Sequence, residues 1–130
     1  MNFIRHVSVT VLSLLATAAV ASDFDGSKAL ICAPVIAMDC VRGDECLASL
    51  PEDIDAPAFM RFDFAKKQVI GPKVTSEILL QEKTADRMLL QGREAGYGWT
   101  ILIDAKHGEM TVTLATVNGA IVMYGSCTPI

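Results

Sequence analysis

Residues 76–127 read SEILLQEKTADRMLLQGREAGYGWTILIDAKHGEMTVTLATVNGAIVMYGSC, and the spacing within this stretch decides the fold. Met110, Val112 and Leu114 alternate with Thr111 and Thr113, which puts apolar groups on one face of a strand and hydroxyls on the other. Tyr97, Trp99, Ile101 and Ile103 repeat the two-residue period one strand earlier. Before them Met88 and Leu90 point inward after a polar loop over 82–87, and Ile78 and Leu80 share a face of one strand bounded by Ser76 and Glu82. Turn residues separate the runs. Gly108 closes 104–108 in a position suited to left-handed backbone, and Asn118-Gly119 predicts a tight hairpin because both residues tolerate positive φ. Ile121 to Tyr124 is apolar on both sides, as a strand covered on both faces would be. An amphipathic helix competes poorly, since β-branched residues and glycines recur and the apolar period is two.

Upstream, 59–64 reads as a strand with Met60, Phe62 and Phe64 on one side and Arg61 and Asp63 on the other. Ala65-Lys66-Lys67 turns it into 68–70, and Gly71-Pro72 ends that piece. Residues 29–38 form a first strand in which Pro34 lacks a ladder donor and so belongs at an edge or a bulge. Residues 40–57 read as loop, with Ser49-Leu50-Pro51-Glu52 matching a capping box for one helical turn. Residues 22–27 are polar and read as a loose lead-in.

The first 21 residues read as a secretory signal peptide. Arg5 and His6 give the positive start, 7–20 the apolar run, and Ala19-Val20-Ala21 a small-x-small cleavage site. The run is short for a membrane span, so no stable span is expected once it is cleaved. Residues 22–130 then form a single domain with 10 Lys/Arg against 15 Asp/Glu. That acidic balance argues against nucleic acid and anionic membrane surfaces as partners. The carboxylates are dispersed along the chain, which reads as solubility.

All four cysteines lie after the leader, and an even count in an exported chain implies two disulfides. Three pairings are possible. The expected one joins Cys40 to Cys46 around Arg42-Gly43-Asp44 and Cys32 to Cys127 across the domain. Zinc is disfavoured because no Cys-x-x-Cys pair is present. About seven short strands in sequential hairpins, first tied to last, predict an all-β antiparallel meander closing as a barrel or half-open barrel. A two-sheet sandwich is the alternative.

The stretches at 57–64 (PAFMRFDF), 90–99 (LQGREAGYGW) and 125–128 (GSCT) resemble a family of small secreted proteins of Gram-negative bacteria to which no activity is attached. The likeness runs from Cys32 to Cys127, and this chain has Ala95 and Tyr97 where the family pattern has an amide and a basic residue. The resemblance implies export to the periplasm or beyond and a β fold. Periplasmic lysozyme inhibitors are similar in architecture only, because their Ser-Gly segment before an aromatic residue is missing here.

Chemistry is sparse. His107, the one histidine after the leader, falls in a turn and faces solvent, so no Ser-His-Asp or Cys-His set is recognisable. No ligand set for a metal and no calcium loop is present, and no cofactor is expected. Gly92, Gly96 and Gly98 lack the Gly-Lys that ends a nucleotide loop. Arg42-Gly43-Asp44 reads as a tight turn rather than an adhesion site. What remains is Arg93, Glu94, Tyr97 and Trp99 between glycines, a rim able to grip a ligand or protein partner, with Trp99 equally a plug for the core. The expected function is a non-enzymatic, inhibitor-like or binding module of the cell envelope, holding an envelope protein or a small apolar ligand. The alternatives are a small hydrolase using Glu94 with Asp63, and an assembly subunit exposing a strand edge near Pro34.

Overall fold

A computed structural model describes residues 22–130, so the signal peptide expected over 1–21 lies outside the described residues. The described chain is nearly all β. Ten antiparallel strands make one strongly curled sheet, a half-open barrel and not a two-sheet sandwich. They are β1 (Leu30–Val41), β2 (Cys46–Ser49), β3 (Met60–Asp63), β4 (Gln68–Ile70), β5 (Thr75–Glu77), β6 (Leu80–Lys83), β7 (Arg87–Glu94), β8 (Tyr97–Asp104), β9 (Glu109–Ala115) and β10 (Gly119–Pro129). Their order is β5-β4-β3-β1-β10-β9-β8-β7-β6, with β2 pairing β1. The order is sequential from β6 to β10 and from β3 to β5. The first strand is inserted between them, because Cys32 stands directly opposite Cys127 in the β1–β10 ladder and is bonded to it.

The two-residue period is realised. Met88, Leu90, Trp99, Ile101, Ile103, Met110, Val112 and Met123 are buried on the concave face, joined by Met60, Phe62 and Phe64 from β3 and its turn. Their neighbours along each strand point outward. Pro34 is buried in β1, at a bulge where the pairing with β10 shifts between Pro34 and Ile36, and not at a sheet edge. The second disulfide joins Cys40 and Cys46, opposite residues of β1 and β2.

Several local expectations fail for identifiable reasons. The segment 40–57 is not all loop: β2 pairs with β1 from Ala37 to Cys40, and Pro51–Ile54 is a 3₁₀ turn. Its N-cap is Leu50, not Ser49, and no side chain caps it; Pro51 starts the turn without needing a donor partner. The single strand expected over 76–82 is broken at Ile78-Leu79. Ile78 donates to the Lys67 carbonyl on the β4 side and Leu79 to the Gln91 carbonyl on the β7 side, 2.8 and 2.9 Å. The chain thus steps from one edge of the sheet to the other, and Leu80 turns out to solvent while Ile78 stays buried.

The loop expected over 82–87 is shorter, since Thr84 Oγ1 accepts from Asp86 and Arg87 N–H (3.3 and 3.2 Å) and lets β7 begin at Arg87. Ile121 to Tyr124 is not covered on both faces, because Tyr124 is 47% exposed on the convex side. Neither Asn118 nor Gly119 has positive φ. Thr116 closes that hairpin instead, accepting from the N–H groups of Asn118 and Gly119, each at 3.2 Å. Gly119 is required for another reason: a Cβ there would lie 2.3 Å from the Cys40 carbonyl oxygen.

The lead-in 22–27 is not loose. Phe24 packs on the core, its ring filling the space beside Gly108, and Ser22 Oγ donates to the Ala105 carbonyl. Lys83 faces Asp25 at 3.8 Å. This segment stoppers one end of the barrel and leaves the other end free to carry a site.

Candidate functional site

The open end holds a cavity of about 390 Å³. Its floor is the upper part of the concave face, where Met60, Val69, Ile101, Val112, Leu114 and Met123 leave room between them. Trp99 stands along one wall. Two lips frame the entrance, one the segment 55–58 after the 3₁₀ turn and the other the β4–β5 connection 71–74. The lips touch. Lys73 Nζ lies 2.8 Å from Asp55 Oδ1, and Gly71 packs toward Pro57, where any side chain would also crowd the Val74 carbonyl at 3.2 Å.

Of the four residues expected at the rim, Tyr97 and Trp99 line this cavity, whereas Arg93 and Glu94 do not. Arg93 and Glu94 line, with Tyr97, a depression over the β7–β8 turn, so Tyr97 is the point where the two places meet. Ala95 and Gly96 make that turn with φ of 37° and 89°, the two-residue hairpin with positive φ at both positions that had been expected at 118–119.

Trp99 is 6% exposed, with its indole N–H donating to Ser76 Oγ at 2.9 Å. Ser76 in turn donates to the Arg93 carbonyl, 3.4 Å away, so β5, β7 and β8 are tied at the seam of the barrel. The indole therefore serves both readings: it plugs the core and walls the cavity. Its place depends on Gly92, directly opposite in the β7–β8 ladder; a Cβ there would fall 2.1 Å from the Trp99 ring and 2.6 Å from the Glu77 carbonyl oxygen. Burial first, and the nearby Glu94 carboxylate second, push the Tyr97 phenol above its ordinary pKa, so it is a neutral hydroxyl at the mouth.

Side-chain polar groups lining the cavity are few. Ser76 is bonded on both sides, and Asp55 and Lys73 answer each other at the lips. Among the described residues no buried side-chain N or O lacks a partner, and no group of three or more His, Cys, Asp or Glu could hold a metal ion. Asp63 caps the β3–β4 turn, its carboxylate accepting from Lys66 N–H at 3.0 Å, and it lines neither the cavity nor the depression beside Glu94. His107 is exposed in the β8–β9 turn, with Nδ1 3.4 Å from Asp104. Arg42-Gly43-Asp44 is a turn, Gly43 having φ of 81° and Arg42 donating to the Val117 carbonyl.

The lips were missed in the sequence. Their signal was present in Pro57, which precedes β3, and Pro72, which follows β4, but nothing in the spacing says that the segments face each other. No helix of the described residues is long and apolar enough to cross a membrane. No family model, no curated protein and no solved structure matches this chain.

Proposed function

We propose that this protein is a non-enzymatic binding module of the cell envelope that takes a small apolar ligand into the open end of its barrel. The observation behind it is the cavity: about 390 Å³, floored by aliphatic and Met side chains and walled by an indole, with no buried side-chain N or O of the described residues lacking a partner. Ligand sites are commonly concave, mostly apolar and of this size. With a water-sized group occupying about 30 Å³, the space suits roughly a dozen heavy atoms of hydrocarbon. Export belongs to the reading, since two disulfides suit an oxidising compartment and the first 21 residues suit a leader. A hydrolase pairing Glu94 with Asp63 has less behind it, because Asp63 is engaged in a turn and opens on neither concavity.

Trp99 is the sole tryptophan and lines the cavity, so its fluorescence reports occupancy. Titration with straight-chain alcohols of six to twelve carbons should give saturable quenching or a blue shift that strengthens with chain length, by about 0.8 kcal/mol per methylene, and then stops when the cavity is full. Ala58→Phe, at an exposed lip position, should block the titration without lowering the melting temperature. A flat titration with the folded protein would sink the proposal.

A further inference from the structure

The carboxylates that look dispersed along the sequence are unevenly placed in space. Between Asp39 and Asp55 the chain carries six of them against Arg42 alone, and this segment contains the β1–β2 hairpin, the 3₁₀ turn and one lip of the cavity. The rest of the open end adds Glu94 with Arg93 on the β7–β8 turn and Lys73 on the other lip, the last already paired with Asp55. The remaining described residues carry eight carboxylates against seven cations. The open end therefore holds four of the five net negative charges of residues 22–130.

A second asymmetry coincides with it. The concave face continues past the cavity into exposed apolar side chains set around Asp39. Leu47 stands opposite Asp39, whose partner on β10 is Ile121, and Ile121 is paired with Leu114 at the cavity wall. Leu47 is 66% exposed, and Val41 and Val74 are also exposed at this end. An apolar hollow with low-dielectric walls and a rim of net negative charge concentrates cations.

We infer that the ligand of this cavity is a cationic amphiphile: a single hydrocarbon chain in the hollow, with a positively charged head left in water among the carboxylates of the rim. The inference rests on the apolar-ligand reading above and adds the charge of the head. The floor and wall carry no carboxylate, and Asp55 at the lip is already paired with Lys73, so the head stays outside. There the field of the rim acts on it with only solvent screening. At about 10 Å in water each unit charge contributes little, but four acting together at low salt favour a monovalent cation over a neutral head by about tenfold. They disfavour an anion by a similar factor.

The test compares three decyl compounds below their micelle concentrations, decyltrimethylammonium, decyl glucoside and decyl sulfate, using Trp99 fluorescence at about 10 mM and about 1 M salt, where the Debye lengths are about 30 and 3 Å. The expected order at low salt is cation, then neutral, then anion, with steps of about tenfold that shrink to less than about twofold at high salt. The triple change Glu52→Gln, Asp53→Asn and Glu94→Gln, the first two exposed and the third half-buried, should narrow the steps and leave the glucoside affinity unchanged. Equal saturable binding of all three compounds at low salt would overturn the charge inference while leaving the apolar cavity reading intact. Binding of none would overturn both. Saturation of the Trp99 signal by a lysine-rich amphipathic peptide, with no response to decyltrimethylammonium, would make the occupant a polypeptide and also overturn the inference.

Discussion

Gly92 and Trp99 face each other across β7 and β8, and the indole occupies the space that any other residue at 92 would need. Gly92→Ala should therefore destabilise the protein by about 2–3 kcal/mol, the range for overpacking against backbone and ring together, with a red-shifted Trp99 emission as the indole is driven off Ser76. Three residues on, the strain has the opposite remedy. Ala95 sits at φ of 37° and pays about 1 kcal/mol for it, while an asparagine tolerates that backbone. Ala95→Asn should raise the unfolding free energy by about 0.5–1 kcal/mol in a urea titration, with no change in slope. The inward placement of Trp99 was legible because a period of two survives any choice of turn. The residue pair that supplies positive φ was not. Asn-Gly is the stronger local signal, but Gly119 is used to let β10 pass close to the Cys40 carbonyl, so the tight turn falls to Ala95-Gly96.

At the scale of elements, the β8–β9 turn shows how a polar side chain holds a hairpin. Asp104 accepts from the backbone N–H groups of His107 and Lys106, and those bonds, the one from His107 foremost, hold its carboxyl below the ordinary value. A lowered folded-state pKa means that the stabilisation is fully present above the unfolded value near 3.8 and is lost as pH falls through the folded one. Asp104→Asn should thus lower the melting temperature at pH 7, and the gap between variant and wild type should close as the pH falls below the unfolded value. This turn was readable from Asp104 and Gly108. β2 was not, because its four residues lie on the rim with no buried alternation, and only their pairing with β1 and the Cys40–Cys46 bond make them a strand. The lead-in was misread for a related reason: a single Phe24 among polar residues carries no period, yet one ring suffices to stopper a barrel end.

For the molecule as a whole, the bond between Cys32 and Cys127 spans 95 residues and joins the first strand to the last. In the chain-entropy account, closing a loop of that length contributes roughly 4–5 kcal/mol, a large part of the roughly 5–10 kcal/mol expected for such a domain. Cys32→Ala with Cys127→Ala should lower the unfolding free energy from a urea titration by that amount, whereas Cys40→Ala with Cys46→Ala, across a separation of six, should lose only about 2 kcal/mol. Both pairings and the curled sheet were legible, the first from parity and spacing and the second from period and turn chemistry. The cavity was not. Periodicity tells which side chains turn inward, but whether Met60, Val112 and Met123 meet in the middle depends on curvature, which no stretch of sequence carries alone. The gathering of carboxylates at one end escaped for the same reason, being a property of the assembled shell.

The step at Ile78-Leu79 places both margins of the sheet on one continuous piece of backbone. A shell stitched in this way brings the two end strands of the sheet onto one segment, while β2, paired only with β1, keeps a free border open to a neighbouring chain. A protease cut between those two residues would undo the stitch, yet Cys32–Cys127 would keep the halves on one covalent frame, and the wall would be left able to swing apart beside Trp99.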